Sequence, residues 1–159
     1  MKVVIRAAEN RDADSLSALA YRSKAHWGYD ETFMQGAKTL LTITPMIILL
    51  QPVFVAEVDG EIAGFYGLRA WREEPEIEKS VELDNLFVEP AFIGKGIGKA
   101  LFEHAVKVAA AMGYRTMVII SDPNAAAFYH KMGASTFAGR ASELAENRVL
   151  PLMRYELSE

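Results

Sequence analysis

The stretch FIGKGIGKAL, from Phe92 to Leu101, constrains this chain more than any other. Gly94, Gly96 and Gly98 alternate with Lys95, Ile97 and Lys99, and an amphipathic helical pattern follows directly. Glycine lets the backbone turn tightly and approach a ligand without a Cβ in the way. A helix start presents unpaired N–H groups and partial positive charge, which suits phosphate. Loop and helix together read as a pyrophosphate cradle, and the rest of the chain must decide which ligand it holds.

The chain has 159 residues, a length that predicts one domain across residues 1–159. Its net charge of -4 argues against a nucleic-acid partner, which needs a concentrated basic face. The apolar run Met46–Leu50 falls far short of the ~20 residues of a membrane span. The first residues, MKVVIRAAENRD, turn charged before a signal-peptide core develops, so a cytoplasmic location is the expectation. There are no cysteines, which removes disulfides and any covalent thioester route through the protein. His26, His104 and His130 show no metal-ligand spacing, so no metal is expected.

Val3–Ile5 with Arg6 and Ala7 predicts a first strand, and Asn10 or Asp12 can cap a helix whose apolar face is Ala13, Leu16, Leu19 and Ala20. Gly28 interrupts that pattern, and Asp30-Glu31 opens a second helix toward Leu41. The segment between Pro45 and Pro52 takes no firm assignment. Val53–Val58 and Glu61–Ala70, joined by Asp59-Gly60, read as a hairpin with a two-residue turn. A strand from about Val81 to Val88 stops at Pro90. After the glycine loop, Ile97, Leu101, Ala105, Val108 and Met112 recur at helical spacing, and Gly113 ends the helix. Thr116–Ile120 reads as a buried strand, Pro123 opens a short helix to Met132, and Ser135–Ala138 and Leu150–Leu157 close the chain as strands. The order βαα-βββ-α-β-α-ββ is that of a mixed α/β domain, with helices covering a central sheet.

Two familiar cradles fit poorly. A P-loop ends in Gly-Lys followed by a hydroxyl, whereas Lys99 precedes Ala100. A dinucleotide fingerprint needs G-x-G-x-x-G after the first strand, and this loop reads G-x-G-x-G. A nucleotide-dependent kinase or oxidoreductase is therefore disfavoured. Three segments in order, DNLFVEP, the glycine loop and NAAAFYHKMGA, instead resemble the GNAT superfamily of N-acetyltransferases. The loop pattern of that family, Q/R-x-x-G-x-G/A, maps onto Ile93, Gly94, Lys95, Gly96, Ile97 and Gly98. Ile93 departs from it by replacing the usual Gln or Arg, and Lys95 and Lys99 can supply charge instead. The run SKAHWGYDETFM resembles an uncharacterised bacterial subgroup of the family.

The resemblance implies an α/β (α+β mixed-sheet) fold with a splayed strand pair at an acetyl-CoA site, and direct acetyl transfer to a primary amine. On it, Leu86, Phe87 and Val88 offer backbone groups to the pantetheine arm, and Asn124 and Phe128 lie with the CoA-binding residues. The family's usual basic glutamate stands eleven positions before the first loop residue, which points to Glu82, with Asp84 in reserve on the same strand face. Ion-paired or solvated strand carboxylates are the alternative. Tyr129 matches the tyrosine that protonates the departing sulfur, with aromatic core packing as the alternative. Asn124 is equally a helix cap, and His130 should point away from Tyr129 on the helix. The acceptor region would draw on His26, Trp27, Tyr29, Phe33 and Trp71, with Glu73, Glu74, Glu76 and Glu78 nearby. Half-buried aromatics and a solvated acidic loop explain the same residues. The acceptor amine, small molecule or peptide, is not named by this pattern, and a non-catalytic CoA-sensing module remains a second class. Many members dimerise through their later strands, which leaves a homodimer open.

Overall fold

A computed structural model of the chain describes residues 1–157; the expected domain also takes in Ser158 and Glu159, which lie outside the described residues. Among the described residues seven strands order as β1-β2-β3-β4-β5-β7-β6 by hydrogen bonding. They are β1 (Val3–Ala7), β2 (Val53–Val58), β3 (Glu61–Ala70), β4 (Ser80–Val88), β5 (Thr116–Ile120), β6 (Ser135–Ala141) and β7 (Val149–Glu156). The helices are α1 (Ala13–Ala25), α2 (Glu31–Ala37), α3 (Pro45–Leu50), α4 (Ile97–Ala111) and α5 (Ala126–Lys131). β4 and β5 run parallel, whereas β1–β2, β2–β3, β5–β7 and β6–β7 are antiparallel, so the sheet is mixed. The described chain divides into two compact units: Met1–Gly67 with Asn85–Leu101, and Leu68–Asp84 with Phe102 onward.

In the first unit the hairpin forms where the sequence places it. Asp59 and Gly60 both take left-handed φ, 52° and 82°, as a turn that matches strand twist requires. Val55 and Ala56 are both buried, next to a register shift after Ala56. Ala13, Leu16, Leu19 and Ala20 are the buried face of α1, as their spacing predicts. Arg6 closes the turn before α1 by donating from Nη1 and Nη2 to Asp12 at 2.8 and 3.1 Å. Asp12 also accepts the Glu9 N–H at 2.7 Å, and its carboxyl is held below the usual range mainly by that guanidinium bond.

Two expectations need correction here. The second helix ends at Ala37 rather than reaching toward Leu41. The unassigned segment is a third helix: Thr44 accepts the Ile47 N–H at 3.1 Å and Pro45 opens the first turn. The order is therefore βααα-βββ-α-β-α-ββ.

In the second unit β5 is the inner strand and nearly all of it is buried. Its ladder with β4 covers only Ser80–Glu82 against Thr116–Val118, while its ladder with β7 continues through Ile120. The parallel pair thus parts after three residues, the splay the family resemblance implies. Asn85, where β4 passes into the first unit, has φ 72°, a conformation that breaks a regular strand. Phe102 on α4 anchors the aromatic core, meeting Tyr155 edge-on at 5.3 Å and Tyr129 at 6.2 Å. Ala105 and Ala109 continue its buried face, Val108 is only half-buried, and Met112, expected on the apolar stripe, is half exposed. The helix has already ended at Ala111, and Gly113 leaves it with φ 92°.

Candidate functional site

The glycine loop lies in the first unit. A single turn, Pro90–Phe92, carries the chain from β4 into Ile93, which is extended and half exposed. Gly94 and Gly96 take φ 83° and 82°, and a Cβ on either would meet open space. Backbone conformation, not crowding, therefore reserves both positions for glycine. Gly98 is different: it lies in the first turn of α4 with no left-handed φ. The Ala100 N–H bonds back to the Gly96 carbonyl at 3.1 Å and closes that turn. The amides of Ile97 and Gly98 precede this bond and point out of the positive helix end. Lys95 is exposed, its Nζ 5.5 Å from the Phe92 ring centre, and Lys99 is exposed in the first turn of the helix. A donor set of backbone amides with two ammonium groups fits a pyrophosphate, and Ile93 adds no donor to it.

Leu86, Phe87 and Val88 are half-buried on the last stretch of β4. Glu89, just beyond them, donates its N–H to the Ala63 carbonyl at 2.8 Å. Its carboxylate takes two bonds from Arg22 Nε of α1, each 3.1 Å, fixing the strand end that leads into the loop. Nothing in the local pattern around Arg22 announces that partner, 67 positions along the chain.

Glu82 and Asp84 belong to the second unit and share a β4 face, as alternation predicts. Between them stands Arg69 of β3, which the sequence reading passed over: its Nε lies 2.9 Å from Glu82 Oε1 and 3.7 Å from Asp84 Oδ2. Burial raises both carboxyls above their ordinary values, and the Arg69 guanidinium opposes that rise. Tyr129 is buried against Phe102 and Phe128. Burial, then the negative charge of Asp122, pushes its phenol above the ordinary range, so it keeps its proton at neutral pH.

Asp122 organises the turn before α5. It accepts the Asn124 backbone N–H at 2.8 Å and its side-chain amide at 3.0 Å, and pairs with Arg148 at 3.2 Å. The cap is therefore Asp122, not Asn124, whose exposed side chain donates to it. His130 bonds the Ala134 carbonyl and Thr136 hydroxyl through its two ring nitrogens, at 3.2 Å each. Among the described residues no three His, Asp or Glu side chains gather as a metal ion would need.

The aromatics of the expected acceptor region differ in setting. In the first unit Trp27 is half exposed with its ring edge-on to His26. Tyr29 stacks on Phe33 at 3.9 Å and 11°, and the Lys24 ammonium lies 5.5 and 6.0 Å from the two ring centres. That pair already receives a cation of its own chain. In the second unit Trp71 is buried with Val118 and Leu152, donates its Nε1–H to the Pro75 carbonyl at 2.8 Å, and carries the Arg140 guanidinium over its ring. Arg140 also pairs with Glu73 at 2.8 Å, while Glu74, Glu76 and Glu78 are exposed.

Relatives bear on this arrangement. An uncharacterised N-acetyltransferase of Methanocaldococcus jannaschii is 28% identical over 135 residues, covering 81% of this chain and 59% of that protein. The L-methionine sulfoximine/L-methionine sulfone acetyltransferase of Salmonella typhimurium is 32% identical over 94 residues, 57% of this chain and 54% of its own. The chain spans between half and three-fifths of the length of these two relatives. Among solved structures, the PaiA N-acetyltransferase of Thermoplasma acidophilum in complex with coenzyme A matches with a TM-score of 0.76 and 21% identity, over 98% of this chain and 99% of that one. YncA of Salmonella typhimurium with its cofactor acetyl-CoA matches at 0.70 and 23%, over 100% and 96%. These likenesses show the fold. The sequence itself matches the model of the acetyltransferase (GNAT) family across residues 24–134, and to that family the chain belongs.

Proposed function

We propose that the chain is an acetyl-CoA-dependent N-acetyltransferase that moves the acetyl group directly onto a primary amine of a small molecule or peptide. One observation carries the reading: two left-handed glycines, Gly94 and Gly96, deliver the chain into the start of α4, whose first N–H groups have no partner within the helix. Acetyl-CoA supplies the thioester, whose acyl carbon takes the amine lone pair as the C–N bond forms and the C–S bond breaks. The loop from Ile93 to Lys99 binds the pyrophosphate, with Asn124 and Phe128 also assigned to CoA. The backbone of Leu86–Val88, beyond the end of the β5 ladder, pairs with the pantetheine arm and offers an N–H to the carbonyl oxygen. The Glu82–Asp84 pair takes the proton of an ammonium that arrives charged, since such amines have a pKa near ~10.4. Tyr129 donates to the departing sulfur. Trp27, Tyr29 and Trp71 belong to the acceptor side, Trp27 with the most open ring. One domain over the whole chain, a homodimer and a cytoplasmic setting belong to the same reading.

Thermal stability in separate titrations with acetyl-CoA, CoA, ATP and NAD tests it. A ligand at 100 times its Kd adds about 2.7 kcal/mol. For a chain of this length that is a Tm rise of roughly 5–10 °C. Acetyl-CoA and CoA should give it, and ATP and NAD should not. Protection by ATP or NAD alone overturns the reading. Ile93, an apolar residue at a position for a polar one, favours a second reading, a CoA-binding module without turnover. That reading expects the same protection but no thiol release with any amine.

A further inference from the structure

Arg69 has no role in the scheme above, yet it is ion-paired with both carboxylates. Its Nε stands at hydrogen-bonding distance from Glu82, 2.9 Å, and beyond that distance from Asp84, 3.7 Å. The bond to Glu82 is charge-assisted and directional, whereas Asp84 feels the guanidinium only as a charge. Access to water divides the pair in the same sense. The Glu82 side chain is 6% exposed and that of Asp84 is 24% exposed. A base in repeated turnover must pass its proton on to solvent, and an oxygen already committed to an arginine in a sealed position does this poorly. We propose that Arg69 is a positioning residue that divides the work of the two carboxylates: it holds Glu82 as a fixed anion and leaves Asp84 to take the proton of the amine.

The inference rests on the acetyltransferase reading. In the step itself, an N–H bond of the ammonium breaks and an O–H bond forms on Asp84. The freed lone pair then attacks the thioester, and Asp84 returns its proton to water. With Arg69 positive and both carboxylates ionised, the cluster keeps one net negative charge, which draws an ammonium in. The other charged groups facing it are Glu73, which bears on both carboxyls with the same sign, and Arg140, which pairs with Glu73. The β5 strand beside β4 reads TMVII and carries no titratable side chain. Burial raises both carboxyls; Arg69 pulls Glu82 back through a hydrogen bond and its charge, and Asp84 through its charge alone.

Carbon-13 NMR titration of the two carboxyls, with no acceptor present, tests the division in wild type, R69M and R69K. In wild type Asp84 should protonate at a higher pH than Glu82. R69M should raise the Glu82 midpoint by about one pH unit or more, and by more than that of Asp84, and R69K should restore most of the difference. The wild-type order needs no variant, so an unstable R69M leaves the test intact. Glu82 protonating above Asp84, or R69M moving both alike, overturns the proposal. Thiol release from acetyl-CoA with a panel of primary amines supplies the second measurement. There D84N should cost about 100-fold in kcat/KM and remove its acidic limb, whereas E82Q should shift that limb and keep it. A limb that survives D84N and vanishes in E82Q also overturns the division. If neither variant slows any amine that wild type acetylates, the base reading itself falls, and the NMR order still judges Arg69 separately.

Discussion

Tyr129 shows how burial sets what a side chain can do. Its ring is enclosed by Phe102 and Phe128, and its phenol is pushed up by burial and by Asp122. A thiol ionises near ~8.5, so a phenol raised above its ordinary ~10 is too weak an acid to surrender its proton fully to a thiolate. It is instead a permanent donor, ready to hydrogen-bond sulfur as charge develops there. Removing one such donor commonly costs 10²–10³ in turnover. Tyr129→Phe should therefore lower kcat by about 100-fold, leave KM for acetyl-CoA little changed, and leave the alkaline side of the pH profile flat to about pH 9. A loss below about tenfold would return Tyr129 to plain core packing, for which Phe serves as well.

At the scale of elements, Gly64 explains how β3 lies so close to its neighbours. A Cβ there would come 2.7 Å from the Phe87 carbonyl oxygen and 2.9 Å from Leu101 of α4. The first contact is with backbone, which cannot swing aside. Gly64→Ala should destabilise by about 1–3 kcal/mol, the usual range for overpacking, and should weaken CoA binding because Phe87 belongs to the strand assigned to pantetheine. Chemical denaturation with and without CoA checks both effects; unchanged CoA affinity in a folded G64A would detach Phe87 from that role. Gly64 also marks the limit of what sequence shows. The hairpin, the buried face of α1 and the loop glycines were legible because each is a local pattern of turn chemistry or periodicity. Gly64 was not, since its constraint comes from a carbonyl 23 positions away. Arg69 was missed for the same reason: its partners Glu82 and Asp84 come from strand pairing, which no local spacing encodes. The α3 helix did carry a signal, the Thr44-Pro45 cap, but six residues are too few for a helical period to emerge.

For the whole molecule, the Asp12 and Asp84 carboxylates pull stability in opposite directions with pH. The Asp12 carboxyl is depressed in the fold by Arg6, so its stabilisation is complete above its unfolded value near ~3.9 and is lost as pH falls through its lower folded value. The Asp84 carboxyl is raised by burial, so the fold binds its proton more tightly than the unfolded chain does. Its contribution is a penalty, complete above the folded value and fading as pH falls from there toward ~3.9. The two variants should consequently part company. D12N removes a charge-assisted pair worth about 1.5–3 kcal/mol. It should lower Tm by roughly 3–12 °C from pH 8 down to pH 5, with the deficit closing only below about pH 4. D84N removes a desolvated charge and should raise Tm at pH 8, with the gain shrinking as the medium becomes acidic. Thermal melts of both variants and wild type from pH 3.5 to 8 decide the matter. A D84N protein less stable than wild type at pH 8 would mean that Arg69 more than offsets the burial of Asp84. A stabilised D84N with impaired transfer would instead place Asp84 among residues kept for chemistry against the interest of the fold.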